Sequence, residues 1–176
     1  MLFIVFCLFS NFLSAQTASS TWALTSNGNS VNVGSVAGTT ITFGSGLSAG
    51  TSASYTGATG VSINGWSNNA GSLQTDEYYE FKVTPNANTV FNVTAINFEH
   101  SRSSGNWQVR AYYSTDDFAT STPLTNAFSS NSSTPTSNNN TVNLDIENTT
   151  LTIRIYGWGS DGGGRQTRIR NVVVTG

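Results

Sequence analysis

Apolar and polar residues alternate with a period of two along most of this chain. The clearest case is Asp76–Pro85, where Tyr79, Phe81 and Val83 fall on one face and mostly polar residues on the other. Such alternation is typical of a strand with one buried and one wet face. The pattern recurs in about eleven short segments between polar turns, without helical periodicity. It predicts an all-β fold, a two-sheet antiparallel β-sandwich that is jelly-roll-like.

The segment Ile96–Phe118 is expected to lie at the centre of the fold. It predicts two strands joined by a short Ser/Gly turn, which together form a hairpin. Trp107, Val109, Ala111 and Tyr113 share one parity in the second strand, so we expect them on its buried side.

Two interruptions of the strand pattern are predicted. The apolar parity changes between Val93 and Ile96, and one extra residue at Thr94–Ala95 would restore it. This favours a β-bulge or a strand break at that point. Further along, 129–140 is almost wholly Ser, Thr, Asn and Pro, a composition that predicts a flexible surface loop.

The first residues predict export from the cell. Leu2–Phe9 is an unbroken apolar run, and the following residues end at the small Ala15, as in a secretory signal peptide. The run lacks a positive n-region, but it is much shorter than the ~20 residues of a membrane span. We therefore expect a signal peptide, 1–15, and a β-sandwich domain, 16–176. The mature protein should be secreted, extracellular or at the cell surface, without membrane insertion.

Metal and cofactor chemistry finds little support. Cleavage would remove Cys7, the only cysteine, and the chain has one histidine, so a zinc site is not expected. A structural Ca²⁺ near Asp116 and Asp117, with Asp76 and Asp161 from other loops, is an alternative that we do not favour. Aspartate commonly caps its own backbone in tight turns instead. We expect no cofactor.

The charge balance argues against nucleic acid as a partner. Seven Lys and Arg face nine Asp and Glu, for a formal net charge of −2. A surface that follows phosphates needs a basic surplus. Aromatic residues make up 11% of the chain, whereas disordered chains combine few aromatics with high net charge. The composition therefore indicates a globular domain.

Arginine and tyrosine side chains fall on the polar faces of several predicted strands. The residues expected to contact a ligand are His100, Arg102, Arg110, Tyr112, Arg154, Tyr156 and Arg168. Guanidinium groups and tyrosine rings supply the bidentate donors and flat surfaces that a sugar or a carboxylate-bearing glycan needs. In the alternative interpretation, these arginines form an exposed charge ladder with nearby carboxylates, and the histidine bonds to a neighbouring group.

Catalytic residues are not expected. A glycosidase needs two carboxylates roughly 5–9 Å apart across a cleft. Glu80 and Glu99 would meet this requirement only on adjacent strands. No strand-to-helix nucleophile elbow of the serine-hydrolase kind is predicted, because the chain shows no helical periodicity. We therefore expect the protein not to be an enzyme.

Three phrases together carry a resemblance to a known family. They are Asp76–Pro85, the His100–Phe118 segment, and Leu151–Trp158 followed by Thr167–Gly176. In this order they resemble a family of secreted β-sandwich domains in exported and surface proteins of Bacteroidota-type bacteria. Those domains often precede a type IX secretion sorting domain. The resemblance implies either a fragment of a longer protein or a stand-alone version.

These observations favour a secreted, non-catalytic β-sandwich module used for adhesion or carbohydrate binding at the cell surface. The expected partner is a polysaccharide or a cell-surface glycan. One alternative is a purely structural spacer module of a larger surface protein. A glycoside-active enzyme is the less favoured alternative. The sequence leaves the oligomeric state open.

Overall fold

The computed structural model describes residues 17–47, 53–67, 71–130, 132–159 and 166–176. Throughout these ranges the regular structure consists of strands, and none of it is a helix long and apolar enough to cross a membrane. The predicted signal peptide, 1–15, lies outside the described residues and stays a prediction.

The described residues form fourteen strands. They are β1 (Ser19–Trp22), β2 (Val31–Val33), β3 (Val36–Gly38), β4 (Thr42–Phe43), β5 (Ser54–Thr56), β6 (Gly60–Ser62), β7 (Tyr78–Pro85), β8 (Val90–Arg102), β9 (Trp107–Ser114), β10 (Thr122–Pro123), β11 (Phe128–Ser130), β12 (Thr136–Glu147), β13 (Leu151–Trp158) and β14 (Thr167–Thr175).

The strands divide into two antiparallel sheets. Sheet A has the order β12-β8-β14-β1-β2, with β6 also on β14 and β5 on β6. Sheet B has the order β10-β9-β13-β7-β3, with β11 also on β9 and β4 on β7. The long strands β7, β8, β9, β12, β13 and β14 alternate between the sheets, as in a jelly roll. The predicted two-sheet antiparallel sandwich is confirmed.

The inward-facing residues of the two sheets interdigitate to form the core. Trp22 of sheet A meets Phe81 of sheet B edge to face, with 5.4 Å between ring centroids. The buried hydroxyl of Tyr79 on β7 donates to the carbonyl of Thr167 on β14 at 2.7 Å. Every second side chain of each strand points toward the opposite sheet, so the apolar residues that alternate with period two form the core.

The predicted hairpin within Ile96–Phe118 is wrong. Its first strand, β8, lies in sheet A between β12 and β14, whereas β9 lies in sheet B beside β13. The turn between them therefore crosses from one sheet to the other. Period-two alternation could not distinguish these arrangements, because a strand buries one face in either case. The predicted burial is confirmed for Trp107, Val109 and Ala111, whereas Tyr113 is half-buried and packs against the core.

The predicted loop at 129–140 is also wrong, since much of it is extended and paired. Residues 128–130 form β11, and Thr136 to Asn140 pair with His100 to Ile96 of β8. The Asn140 side chain adds a hydrogen bond from Nδ2 to the Ile96 carbonyl at 2.9 Å. This stretch is largely solvent-exposed at the sheet edge, so its strand carries no apolar alternation to detect.

The predicted irregularity near Thr94–Ala95 is present in a different form. Strand β8 itself is unbroken, but its register with β12 shifts between Val93↔Leu144 and Ala95↔Thr141. Three residue steps of β12 thus face two steps of β8, so the extra residue belongs to β12.

Candidate functional site

A row of three tyrosines crosses the outer face of sheet B. Tyr112 on β9, Tyr156 on β13 and Tyr78 on β7 have the outward parity of three adjacent strands. Their rings meet edge to face, with centroids 5.8 Å apart for Tyr112–Tyr156 and 5.5 Å apart for Tyr156–Tyr78. The central ring is 6% exposed, while its two neighbours are half-buried. We call these residues the tyrosine row.

Arg154 is fixed beside the tyrosine row. Its Nε donates to Oε2 of Glu80, its direct cross-strand partner, at 2.8 Å. Its guanidinium carbon lies 4.2 Å from the centre of the Tyr78 ring and 4.0 Å from that of Phe118. The cation thus contacts two aromatic rings, and its charge is matched by a carboxylate. Such a group is a rigid part of the surface.

Phe118 reaches this surface from a tight loop after β9. Asp117 and Phe118 both have left-handed backbone conformations, with φ of 54° and 66°. Asp117 Oδ1 accepts a hydrogen bond from Lys82 Nζ at 2.9 Å. Hydrogen bonds from Ser114 and Thr120 lower the pKa of the Asp116 carboxyl to about 2. These contacts hold a loop that would otherwise be strained.

Arg110 differs from Arg154 in its partners. Its guanidinium carbon stacks 4.8 Å from the centre of the Tyr112 ring, and its Nε donates to the Thr125 carbonyl at 3.3 Å. In the part of the chain that the structure describes, no carboxylate lies within 4.0 Å of it. The surface thus holds one neutralised guanidinium and one without an ion pair.

A polar cleft of ≈ 460 Å³ continues the surface beyond Arg154. It is lined by hydroxyl-bearing and charged residues: Lys82, Thr115, Asp116, Asp117, Thr149, Thr150 and Thr152. Because Thr152 lies two residues before Arg154 on β13, with the same outward parity, the cleft belongs to the same face of the sheet. At the opposite end, the half-buried Trp158 extends β13 beside its cross-strand partner Gln108.

The structure therefore brings together four of the seven predicted ligand residues, Arg110, Tyr112, Arg154 and Tyr156. It adds Tyr78, Phe118 and Trp158, which sequence reasoning did not select. Tyr78 and Trp158 could have been found from their outward parity on strands that carry other candidates. Phe118 could not, because a loop conformation and not a strand period points its ring at Arg154.

The other three predicted residues lie on sheet A and cannot share a ligand contact surface with these four. His100 and Arg102 are on β8, and Arg168 is on β14 beside Ser101. These seven residues could line one sheet face only if their strands were neighbours, but β8 and β14 lie in sheet A and β9 and β13 in sheet B. The structure therefore does not bring all seven together.

His100 has the bonded environment of a core residue. It is 7% exposed, its Nδ1 lies 3.0 Å from Ser130 Oγ, and its ring centroid is 4.6 Å from that of Phe128. Burial lowers the pKa of the imidazole below its usual value. The ring is therefore neutral at pH 7 and packed between strands.

The candidate glycosidase pair does not exist as a pair. Glu80 lies on β7 of sheet B and Glu99 on β8 of sheet A, each with outward parity. Glu99 is held by Arg170 Nε at 2.6 Å and by Asn171 Nδ2 at 3.0 Å. Hence the two carboxylates are separated by the whole sandwich.

Among the described residues, no group of three or more His, Cys, Asp or Glu is arranged to hold a metal ion. Asp161, one of the aspartates considered for a structural Ca²⁺, lies outside the described residues.

Comparison with known proteins gives matches to solved structures alone. No protein-family model matches the chain, and neither does any curated protein sequence. A mutant of a family 29 carbohydrate-binding module in complex with mannohexaose is similar at 15% identity and a TM-score of 0.48, over 91% of this chain and 92% of that one. Another mutant, in complex with cellulohexaose, gives 16% identity and 0.46, over 92% and 93%. At this level of similarity, neither assigns a ligand to this chain.

Proposed function

We propose that this protein is a non-catalytic carbohydrate-binding module that holds a polysaccharide on the outer face of sheet B. The observation that carries the proposal is the tyrosine row, three rings on adjacent strands that form a continuous aromatic surface next to Arg154. Tyrosine rings provide large apolar contact areas for the CH faces of sugars, and their hydroxyls provide polar contacts at the ring edge.

The surface is organised before any ligand arrives. Tyr156 is nearly fully buried and supports the rings on both sides, so Tyr78 and Tyr112 have little freedom left to lose. Binding on such a surface avoids the entropic cost of ordering mobile side chains. Sheet-borne groups are also positioned more accurately than groups on loops.

The carboxylates of this surface support binding over catalysis. Glu80 is committed to Arg154, and Asp117 is committed to Lys82. General acid catalysis in a glycosidase needs a carboxyl group that stays protonated near neutral pH. The hydrogen bond from Lys82 lowers the pKa of the Asp117 carboxyl instead, and Glu80 is held in its ion pair, so both side chains are suited to fix their partners.

The setting of this binding is part of the same proposal. With the predicted signal peptide, 1–15, the protein would be exported and would bind polysaccharide or glycan outside the cell. Adhesion of the cell to such a polymer would follow if the domain is anchored to the surface. A spacer module, in contrast, needs no ordered aromatic surface open to solvent.

The test is retention of the purified protein in native gels that contain neutral or acidic plant, fungal and algal polysaccharides. We expect retention by at least one polymer. Tyr78→Ala and Tyr112→Ala should each weaken it by about 1–2 kcal/mol, the loss of one aromatic contact, or roughly 5- to 30-fold. Arg170→Gln, on the outer face of sheet A, is the matched control and should leave retention unchanged.

Two results would contradict the proposal. One is the absence of retention by any polymer, which would favour the spacer. The other is retention that survives both tyrosine substitutions, which would place the binding surface elsewhere.

A further inference from the structure

We propose that the polysaccharide bound on sheet B is acidic, and that Arg110 binds the carboxylate of one of its sugars. This inference rests on the proposed function, because it names the chemical class of the ligand for the same surface. It starts from the different surroundings of the two arginines on that surface.

The positive charge of Arg154 is already balanced by Glu80. Its Nε is bonded to Glu80, and its guanidinium lies against the rings of Tyr78 and Phe118. A ligand anion there would compete with a carboxylate that is itself nearly buried. Arg154 is therefore a structural cation, and its role is to position the rings around it.

Arg110 has the opposite properties. One face of its guanidinium rests on Tyr112, and its Nε is used by the Thr125 carbonyl. In the described ranges, no acceptor is bonded to its two terminal nitrogens. These nitrogens form a planar pair of donors whose spacing matches the two oxygens of a carboxylate. Stacking on the tyrosine holds this plane in a fixed direction.

The distribution of charged groups on the outer face of sheet B favours the binding of an anion at the end near Arg110. Arg110 is the cross-strand partner of Tyr156, whereas Lys82 and the cleft lie opposite Thr152. Tyr156 and Thr152 are four residues apart on β13, or ~13 Å along the strand. The carboxylates Asp116 and Asp117 line the cleft at the far end. A ligand carboxylate beside Arg110 is thus separated from them and meets an unpaired cation.

The neighbours of Arg110 also suit a sugar that carries this carboxylate. Tyr112 lies directly beneath the guanidinium, and Trp158 and Gln108 form the next cross-strand pair toward the end of the strand. A sugar ring held against these aromatic groups would lie close to the terminal nitrogens of Arg110. A uronic acid is the class of sugar whose carboxylate is attached directly to the ring.

The experiment compares each acidic polymer with its own neutral form. Alginate, polygalacturonate and hyaluronan are used as oligosaccharide fragments, alongside the same fragments after chemical reduction of their carboxyl groups to alcohols. This keeps the sugar backbone and removes the charge. Dissociation constants are measured by calorimetry for the wild-type protein, Arg110→Gln, Arg110→Lys and the control Arg170→Gln.

We expect the wild-type protein to bind at least one acidic fragment roughly 5- to 30-fold more tightly than its reduced form. Arg110→Gln should abolish this difference and keep the binding of the reduced form. Arg110→Lys should keep part of the preference, since it retains the charge and loses the fork. Arg170→Gln should behave as wild type. Thermal unfolding of each variant verifies that it is folded.

Equal or weaker binding of every acidic fragment relative to its reduced form would overturn this inference and leave the proposed function intact. A preference that persists in Arg110→Gln would assign the carboxylate to another group and overturn it as well. Failure to bind any polysaccharide, in this experiment and in the native gels, would instead remove the proposed function itself.

Discussion

Arg154 on β13 donates to Glu80 on β7 at 2.8 Å, and the two side chains are only 18% and 10% exposed. Glu80 also accepts a hydrogen bond from Thr42 at 3.2 Å, and Lys82 Nζ lies 3.6 Å from it. Loss of Arg154 would leave the poorly solvated Glu80 carboxylate with only Thr42 and the more distant Lys82 as partners, which is unfavourable. The ion pair therefore links the tyrosine row to the stability of sheet B.

Arg154→Ala is expected to destabilise the fold by about 1.5–3 kcal/mol, the cost of losing hydrogen bonds to a charged, poorly solvated group. Urea unfolding measures the change in free energy. The matched control is Arg170→Ala, which breaks the ion pair between Arg170 and Glu99. This pair is more exposed, with side chains that are 26% and 22% exposed. That pair should contribute about 1 kcal/mol or less. An equal or larger loss in the control would contradict the role assigned to Arg154.

His100 should make stability fall on mild acidification. Burial lowers its pKa in the folded state, so between the folded pKa and about 6.5 the unfolded chain binds more protons. Stability is then lost as the pH falls below about 6.5. His100→Gln should show a shallower decline between pH 7 and pH 5 in thermal unfolding. Since His100 is the only histidine, its NMR titration can be followed directly, and a midpoint at or above 6.5 would contradict this prediction.

Gly157 on β13 marks a close approach of the two sheets. A Cβ at this position would lie 2.8 Å from Thr167 Cγ2 and 3.3 Å from Trp66 Cζ3. Gly157→Ala should therefore cost about 1–3 kcal/mol through overpacking, measured by urea unfolding. At Gly57 an added Cβ meets nothing within 4 Å, so Gly57→Ala is the control and should be near neutral. Similar effects of the two substitutions would indicate a looser contact between the sheets.

Asp116 should stay ionised to unusually low pH. The pKa of its carboxyl is lowered to about 2 by hydrogen bonds from Ser114 and Thr120. Its contribution to stability is present above the unfolded pKa near 3.8 and is lost as the pH falls through about 2. Asp116→Asn should remove this dependence from acid unfolding curves. A carboxyl titration by NMR with a midpoint near 3.8 would show that these hydrogen bonds do not persist in solution.

The sequence predicted which side chains of a strand face outward better than it predicted which strands are neighbours. Arg110 and Tyr112 on β9, and Arg154 and Tyr156 on β13, were assigned to polar faces from period-two alternation alone. Alternation fixes the face of each strand and carries no information about its partners. For this reason Arg168 was grouped with them, although its strand belongs to the other sheet.

Two further differences have local causes. Residues 136–140 pair with β8 although they lack apolar residues, because an edge strand exposed to solvent gains its order from backbone pairing. Phe118 reaches the surface through a left-handed backbone conformation that its residue type does not predict. Sequence patterns detect burial, and neither feature depends on burial.

The central claim is that the outer face of sheet B is the ligand surface. The most direct measurement is a two-dimensional NMR titration of the protein with oligosaccharide fragments of the polymer that retains it in native gels. The account predicts that shifts concentrate at outward residues of β7, β9 and β13, above all around Tyr78, Tyr112 and Arg110. Shifts that concentrate on β8, β12 and β14 of sheet A, with sheet B unchanged, would contradict it.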